Sequence, residues 1–441
     1  MKMNTPEDIE QKNSKELAKA SSLSEIFSIA DMVIAIFLFG VCMFIFNKMY
    51  PVQEDQAMHL DFIFKKVDTH LLFIKFSHCS IMQWLVYILG FGNKSLMFQA
   101  FPFLLSLAFL AKYFVIRFIN ADFIVLHDLK NYNKWLLRAL ALMISLAFPI
   151  YTYLQLSSVN WYRSLTPHCV WHNPTIIVAM PFALLLFWES FKLLLNNSLK
   201  NFLLFFALLL LNFFSKPVFL MACLPIFMVF FFFFKFNDDG SISFSLTKKK
   251  IILASVIAIP SLIIIIYLYK MIFGAYGLDI SFVHTLANHN KNYSFISSVL
   301  FVMRKFFCLS ISNGCIVAIF TIFALISRML LLNAFYFLST FAIKKEILTQ
   351  NLYAFSIWLF GLIITLLVTE IRQPRSENFL WHLIACNLVL LVVGANNLIY
   401  YYGKKKEKDN VFSFLSFSAL SVQTYCGILY VIRFFMKGMW F

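Results

Sequence analysis

The chain has 441 residues, of which 61% are hydrophobic and only 13% charged, and its mean hydropathy is +0.79. A soluble domain is about 25% charged, so this composition excludes a water-soluble globule, a disordered chain, a collagen-like chain and a disulfide-dense secreted fold. The 37 Lys and Arg against 21 Asp and Glu leave a net charge of +16, which in a membrane chain points to cytoplasmic loops before nucleic acid.

Residues 1–25 mix Lys12, Lys15 and Lys19 with Glu7, Asp8, Glu10 and Glu16 and read as a solvated cytoplasmic segment. The first apolar run, about 26–46, follows too long a polar lead for a signal peptide and reads as an uncleaved anchor. Further spans are expected at about 96–119, 135–156, 175–195, 251–272, 311–331, 351–369, 379–400 and 411–433. Between Lys200 and Lys235 the apolar stretch is broken by Ser215-Lys216-Pro217, which predicts a hairpin of two short helices. The expected fold is therefore an all-α polytopic membrane protein of about 11 transmembrane helices with re-entrant or interfacial short helices. Its transmembrane domain covers 26–433, its outer loops about 47–95, 157–174, 273–310 and 370–378, and its tail 434–441.

With the N-terminus inside, every predicted inner loop is basic. These loops carry Arg117, Lys130, Lys134 and Arg138; Lys192 and Lys200; Lys235 with Lys248 to Lys250; Lys344 and Lys345; and Lys404 to Lys406 with Lys408. The nine histidines then sort unevenly, with His127 alone inside and the rest in outer loops or, for His382, at the outer end of a helix. Eight cysteines show no metal-type spacing, and Cys42, Cys223, Cys308, Cys315, Cys386 and Cys426 lie in apolar runs, where Cys acts as a small hydrophobe.

The first outer segment opens with Glu54-Asp55 and reaches His59. Adjacent carboxylates suit deprotonation of an acceptor hydroxyl or retention of a divalent cation, and in a helix Asp55 and His59 share a face. A solvated juxtamembrane loop is the plainer account. Ser77-His78 precedes the apolar stretch 81–91, too short to span and suited to lie at the interface. The second outer loop runs from Trp161 to Thr175. Its aromatics suit the interfacial belt, while Arg163, His168 and His172 suit a diphosphate or sugar. Asn173-Pro174 sets a turn into a helix start whose free N–H groups suit a phosphate oxygen.

Lys216, at membrane depth, calls for an anionic partner such as a lipid-linked phosphate or Asp55, unless it snorkels to the headgroups. The third outer loop holds Asp279, His284 and His289, a weak metal spacing. The fourth holds Arg372 and Arg375, which run against the loop charge bias and suit bidentate phosphate recognition or a pair with Glu370 or Glu377.

The order of an acidic first loop, Ser77-His78, Trp171 to Thr175, Lys216 to Phe219 and Glu377 to Trp381 resembles multi-pass bacterial proteins of surface-polysaccharide assembly. Those are similar to GT-C glycosyltransferases and to O-antigen polymerases and ligases. The GT-C resemblance implies a catalytic base at Asp55 or Glu54. The ligase and polymerase resemblance implies outer-face Arg163, Arg372, Arg375, His172 and His284 around an undecaprenyl diphosphate. Arg138 and Arg328 each precede a Leu by four, but at inner helix ends, so the ligase's outer-loop Arg-x-x-x-Leu is not matched.

The leading expectation is a bacterial inner-membrane glycosyltransferase that acts on a polyprenyl-linked donor and a glycan or lipid acceptor among membrane lipids, with no nucleic acid. Asp55 and Glu54 would be catalytic, and Arg163, Lys216, Arg372 and Arg375 would hold phosphate. His59, His78, His172, Asn173, His284 and His382 would orient the acceptor. A flippase or transporter of lipid-linked glycan is the rival.

Overall fold

The computed structural model describes residues 28–49, 54–68, 81–129, 132–147, 173–236, 242–245, 278–280, 335–340, 345–370, 381–404 and 410–437, with isolated positions 252 and 255. The chain is an all-α membrane-embedded protein. Its helices are α1 (Ile29–Met49), α2 (Glu54–Asp68), α3 (Ile81–Leu89), α4 (Lys94–Leu126), α5 (Lys134–Leu146), α6 (Pro174–Leu195), α7 (Leu199–Ser215), α8 (Val218–Phe233), α9 (Lys345–Leu367), α10 (Trp381–Gly403) and α11 (Asn410–Lys437). Short strands β1 (Phe234–Phe236) and β2 (Ile242–Phe244) pair antiparallel, as do β3 (Leu278–Ile280) and β4 (Val368–Glu370).

Among the described residues six helices are long and apolar enough to cross a membrane: α1, α4, α6, α9, α10 and α11. Helices α7 and α8 are the predicted short pair, with Lys216 and Pro217 between them. The expected spans at 251–272 and 311–331 lie outside the described residues. The helix that opens the span expected at 135–156 ends at Leu146, and positions 148–156 lie outside the described residues. Ala147 leaves the helix at ψ 137°, two residues before Pro149, which cannot continue the hydrogen-bond ladder. Thirteen residues rise only about 20 Å, short of a bilayer core.

Exposure separates the central helices from the lipid-facing ones. The apolar window of α10 is 100% buried and that of α6 83%, against 33% in α1 and α11. Helix α10 packs against α4, α5, α6, α8 and α9, while α1 leans on α4 and α11 on α5. Helix α1 exposes Ile29, Met32, Val33, Ile36, Phe37 and Phe44, and α11 exposes Val411, Phe414, Tyr425, Ile428 and Ile432. Apolar stripes of that size are stable only against lipid or another apolar surface.

Asparagines start three of the helices. Asn93, Asn133 and Asn173 each accept two backbone N–H groups of the first turn of α4, α5 and α6, satisfying donors that have no partner inside the helix. Between α3 and α4 the chain turns through Phe91 at φ 48° and Gly92 at φ 70°. Gly90 lets the backbones meet there, because a Cβ on it would stand 2.8 Å from the Met97 amide nitrogen.

Candidate functional site

One end of the bundle collects the C-terminus of α1, the starts of α4, α6 and α10, the α7–α8 break, and the β3–β4 ladder. Helix α2 lies there, packed against α3, α4 and α6. It inserts Leu60 and Ile63 and leaves Asp61 and Phe62 exposed. The helix that sets Asp55 and His59 one turn apart is present. His59 is half-buried, with Nδ1 3.4 Å from Gln83 Nε2 of α3. Glu54 and Asp55 sit in the first turn of α2 and His382 in the first turn of α10, in each case by backbone alone.

Asn173 is the best-defined residue of this end, buried at 7% exposure. Its Oδ1 accepts from the Thr175 N–H at 3.1 Å, the Ile176 N–H at 3.2 Å and the Thr175 hydroxyl at 2.6 Å, while its own carbonyl takes the Ile177 N–H. Pro174 has no N–H, so every backbone donor of this first turn is engaged. The phosphate cradle expected at the helix start is therefore closed. Lys216 also points to Asn173, Nζ to Oδ1 at 3.4 Å, from an extended position where its backbone N–H caps α7 through Asn212. A loop residue and a hairpin residue 43 positions apart thus share one site.

The antiparallel register of β3 with β4 pairs Leu278 with Glu370 and Asp279 with Thr369. It ties the segment leading to His284 to the segment leading to Arg372 and Arg375. His78, Arg163, His172, His284, Arg372 and Arg375 themselves lie outside the described residues. Among the described residues no group of three His, Cys, Asp or Glu side chains is arranged to hold a metal ion.

Sequence reasoning missed two charged clusters at the opposite end. In the first, Arg138 of α5 grips Asp31 of α1 with Nε to Oδ1 at 3.1 Å and Nη2 to Oδ2 at 2.8 Å, and Arg117 of α4 adds Nη2 to Oδ1 at 3.2 Å. In the second, Lys192 of α6 reaches Glu189 at 2.6 Å and Asp122 of α4 at 3.1 Å, and Trp188 Nε1 donates to Asp122 at 2.8 Å. Arg117, Arg138 and Lys192 are therefore not loop charges, which corrects the count behind the charge alternation. They stand inside helices because each has a carboxylate within reach. The detectable signal was Asp31, an ionisable residue followed by fifteen residues, 32–46, without another charge.

His127 follows the last turn of α4, with its ring tilted against Phe123 and edge-on to Tyr400, and with Nε2 enclosed. Burial, reinforced by the Lys404 ammonium, lowers its pKa to about 4 from the ordinary 6.5. The unfolded chain takes up this proton first, so the contribution to stability is complete above pH 6.5 and falls as the pH drops towards 4. His127→Phe is expected to flatten that acid limb in melting curves recorded across this window.

No family model matches the chain, and no curated protein or solved structure is significantly similar to it.

Proposed function

We propose that the chain is a glycosyltransferase of a bacterial inner membrane, with an 11-span GT-C-like fold and a cytoplasmic N-terminus. It moves a sugar or glycan from a polyprenyl-phosphate or -diphosphate carrier to a glycan or lipid acceptor at the outer face, in O-antigen or other surface-polysaccharide assembly. The reading rests on one observation: α2, the Asn173–Lys216 contact and the β3–β4 ladder occupy the same end of the bundle.

Asp55 takes the acceptor proton with Glu54 beside it, which places negative charge on the attacking oxygen as the phosphate leaves. Lys216, Arg163, Arg372 and Arg375 compensate the charge that develops on the leaving phosphate. His59, His78, His172, His284 and His382 orient the acceptor, and Asn173 acts through Lys216, whose ammonium it fixes.

Asp55→Asn is expected to abolish the surface-glycan product at unchanged protein level, read as loss of the glycan ladder on gels. An unchanged ladder at normal protein level overturns the catalytic assignment.

Lys112 favours a second reading, a flippase of lipid-linked glycan. It is 2% exposed near the middle of α4, donates to the Ser145 carbonyl at 2.8 Å and lies 4.0 Å from the Phe109 ring centroid. Ionisable groups at such depth mark transport pathways. Purified protein that moves labelled lipid-linked glycan across vesicles without changing its covalent structure would establish that reading in place of the first.

A further inference from the structure

The seams between the central helices use their polar side chains differently. Between α9 and α10, Trp358 Nε1 donates to Asn387 Oδ1 at 2.7 Å and Asn397 Nδ2 to Asn351 Oδ1 at 3.0 Å. Between α6 and α9 the Ser190 and Tyr353 hydroxyls lie 2.8 Å apart, and between α6 and α4 Lys192 and Trp188 hold Asp122. Helices α4 and α10 bring amides of another kind. Asn120 of α4 and Asn396 of α10 are both fully buried, and neither the oxygen nor the nitrogen of either amide has a hydrogen-bond partner among the described residues.

The two helices finish side by side. The His127 ring stands edge-on to Tyr400, and the Leu129 side chain fills the space beside Gly403 that a Cβ would take. Asn120 lies seven residues before His127 and Asn396 four before Tyr400, so the helical repeat turns each to the side of its helix that makes this contact. They stand about two turns and about one turn back from it. His127 Nε2 is enclosed without a partner at the end of the same seam, where exposed Asp128 and Lys404 reach water. A buried amide that bonds to nothing has lost its water without replacement, whereas the paired amides of α9 and α10 keep a bond. Parting α4 from α10 by the width of a water molecule would return that cost.

We propose that the seam of α4 with α10 is a gate. Its packed form is the closed state, and in a second state the ends of the two helices part, so that water entering at His127 hydrates Asn120 and Asn396. The gate does not rest on the glycosyl-transfer reading, whose residues gather at the opposite end of the bundle.

The test places the full chain in lipid nanodiscs, which leave both faces open, and treats it with a charged methanethiosulfonate reagent read residue by residue in mass spectrometry. Asn120→Cys and Asn396→Cys are expected to react about tenfold or more faster than the native Cys386, which is fully buried on the same α10. In the wild type, hydrogen exchange over 393–400 is expected to run ahead of 383–392 of the same helix. Asn120→Leu/Asn396→Leu removes the unpaired amides and is expected to slow exchange over 393–400. Cysteines at 120 and 396 that react no faster than Cys386, or exchange that the double Leu variant leaves unchanged, would overturn the gate. Should the Cys variants fail to fold, the exchange comparison of wild type with the Leu variant still decides.

Discussion

Asp31→Ala is expected to destabilise the folded chain by about 3–5 kcal/mol, because it removes the carboxylate that two buried guanidinium groups share. Arg138 would lose both branches of its fork, and Arg117 its ion pair. Neither can simply deprotonate, since arginine stays charged, and both guanidinium groups are almost closed to solvent in the folded chain. The melting temperature of purified protein in detergent should fall well below wild type, with loss of monodisperse material at the extreme. Replacing Asp31, Arg117 and Arg138 together with Leu or Met should recover most of the loss, since removing all buried charges removes their desolvation cost too. An Asp31→Ala protein that melts with wild type would mean that the cluster is solvated and contributes little.

The apolar architecture was largely legible. Helices α1, α4, α6, α10 and α11 follow runs of about twenty apolar residues, and the α7–α8 break follows Ser215-Lys216-Pro217, because lipid leaves the backbone few alternatives to a helix. Helix α5 ends at Leu146 although its apolar run continues, because the backbone turns extended at Ala147; positions 148–156 lie outside the described residues.

Charge was legible only in part. A lysine or arginine near a span end looks the same in sequence whether it lies in a loop or turns inward to a carboxylate on another helix. Arg138 and Asp31 are 107 positions apart, and such pairings belong to tertiary packing. The candidate site shows the same division. The i,i+4 relation of Asp55 and His59 is local and followed from sequence once a helix was assumed. The meeting of Asn173 with Lys216 is not local, and Asn173 looked like a turn residue when it is also a helix cap that consumes the donors a phosphate would have used.

The second cluster carries the other large expected effect. Lys192→Met is expected to cost about 3–5 kcal/mol, because the sulfur fills the ammonium's space without its charge and leaves Asp122 and Glu189 facing each other. The Trp188 indole N–H still serves Asp122, but one neutral donor does not offset two carboxylates brought together in a buried setting. Glu189 is 2% exposed, so its charge has no path to solvent except by parting α6 from α4. The decisive comparison is Lys192→Met against Lys192→Met/Glu189→Gln, both followed by thermal unfolding. If repulsion is the cause, the double variant recovers a large share of the loss, because one carboxylate remains and keeps its indole donor. If the single variant loses only the packing of the lysine stem, the Gln change adds its own small cost and the two melt alike or in the reverse order. Recovery would also give the interior ion pair of Lys192, which already sets it apart from the loop charges, a measured energetic role between α4 and α6.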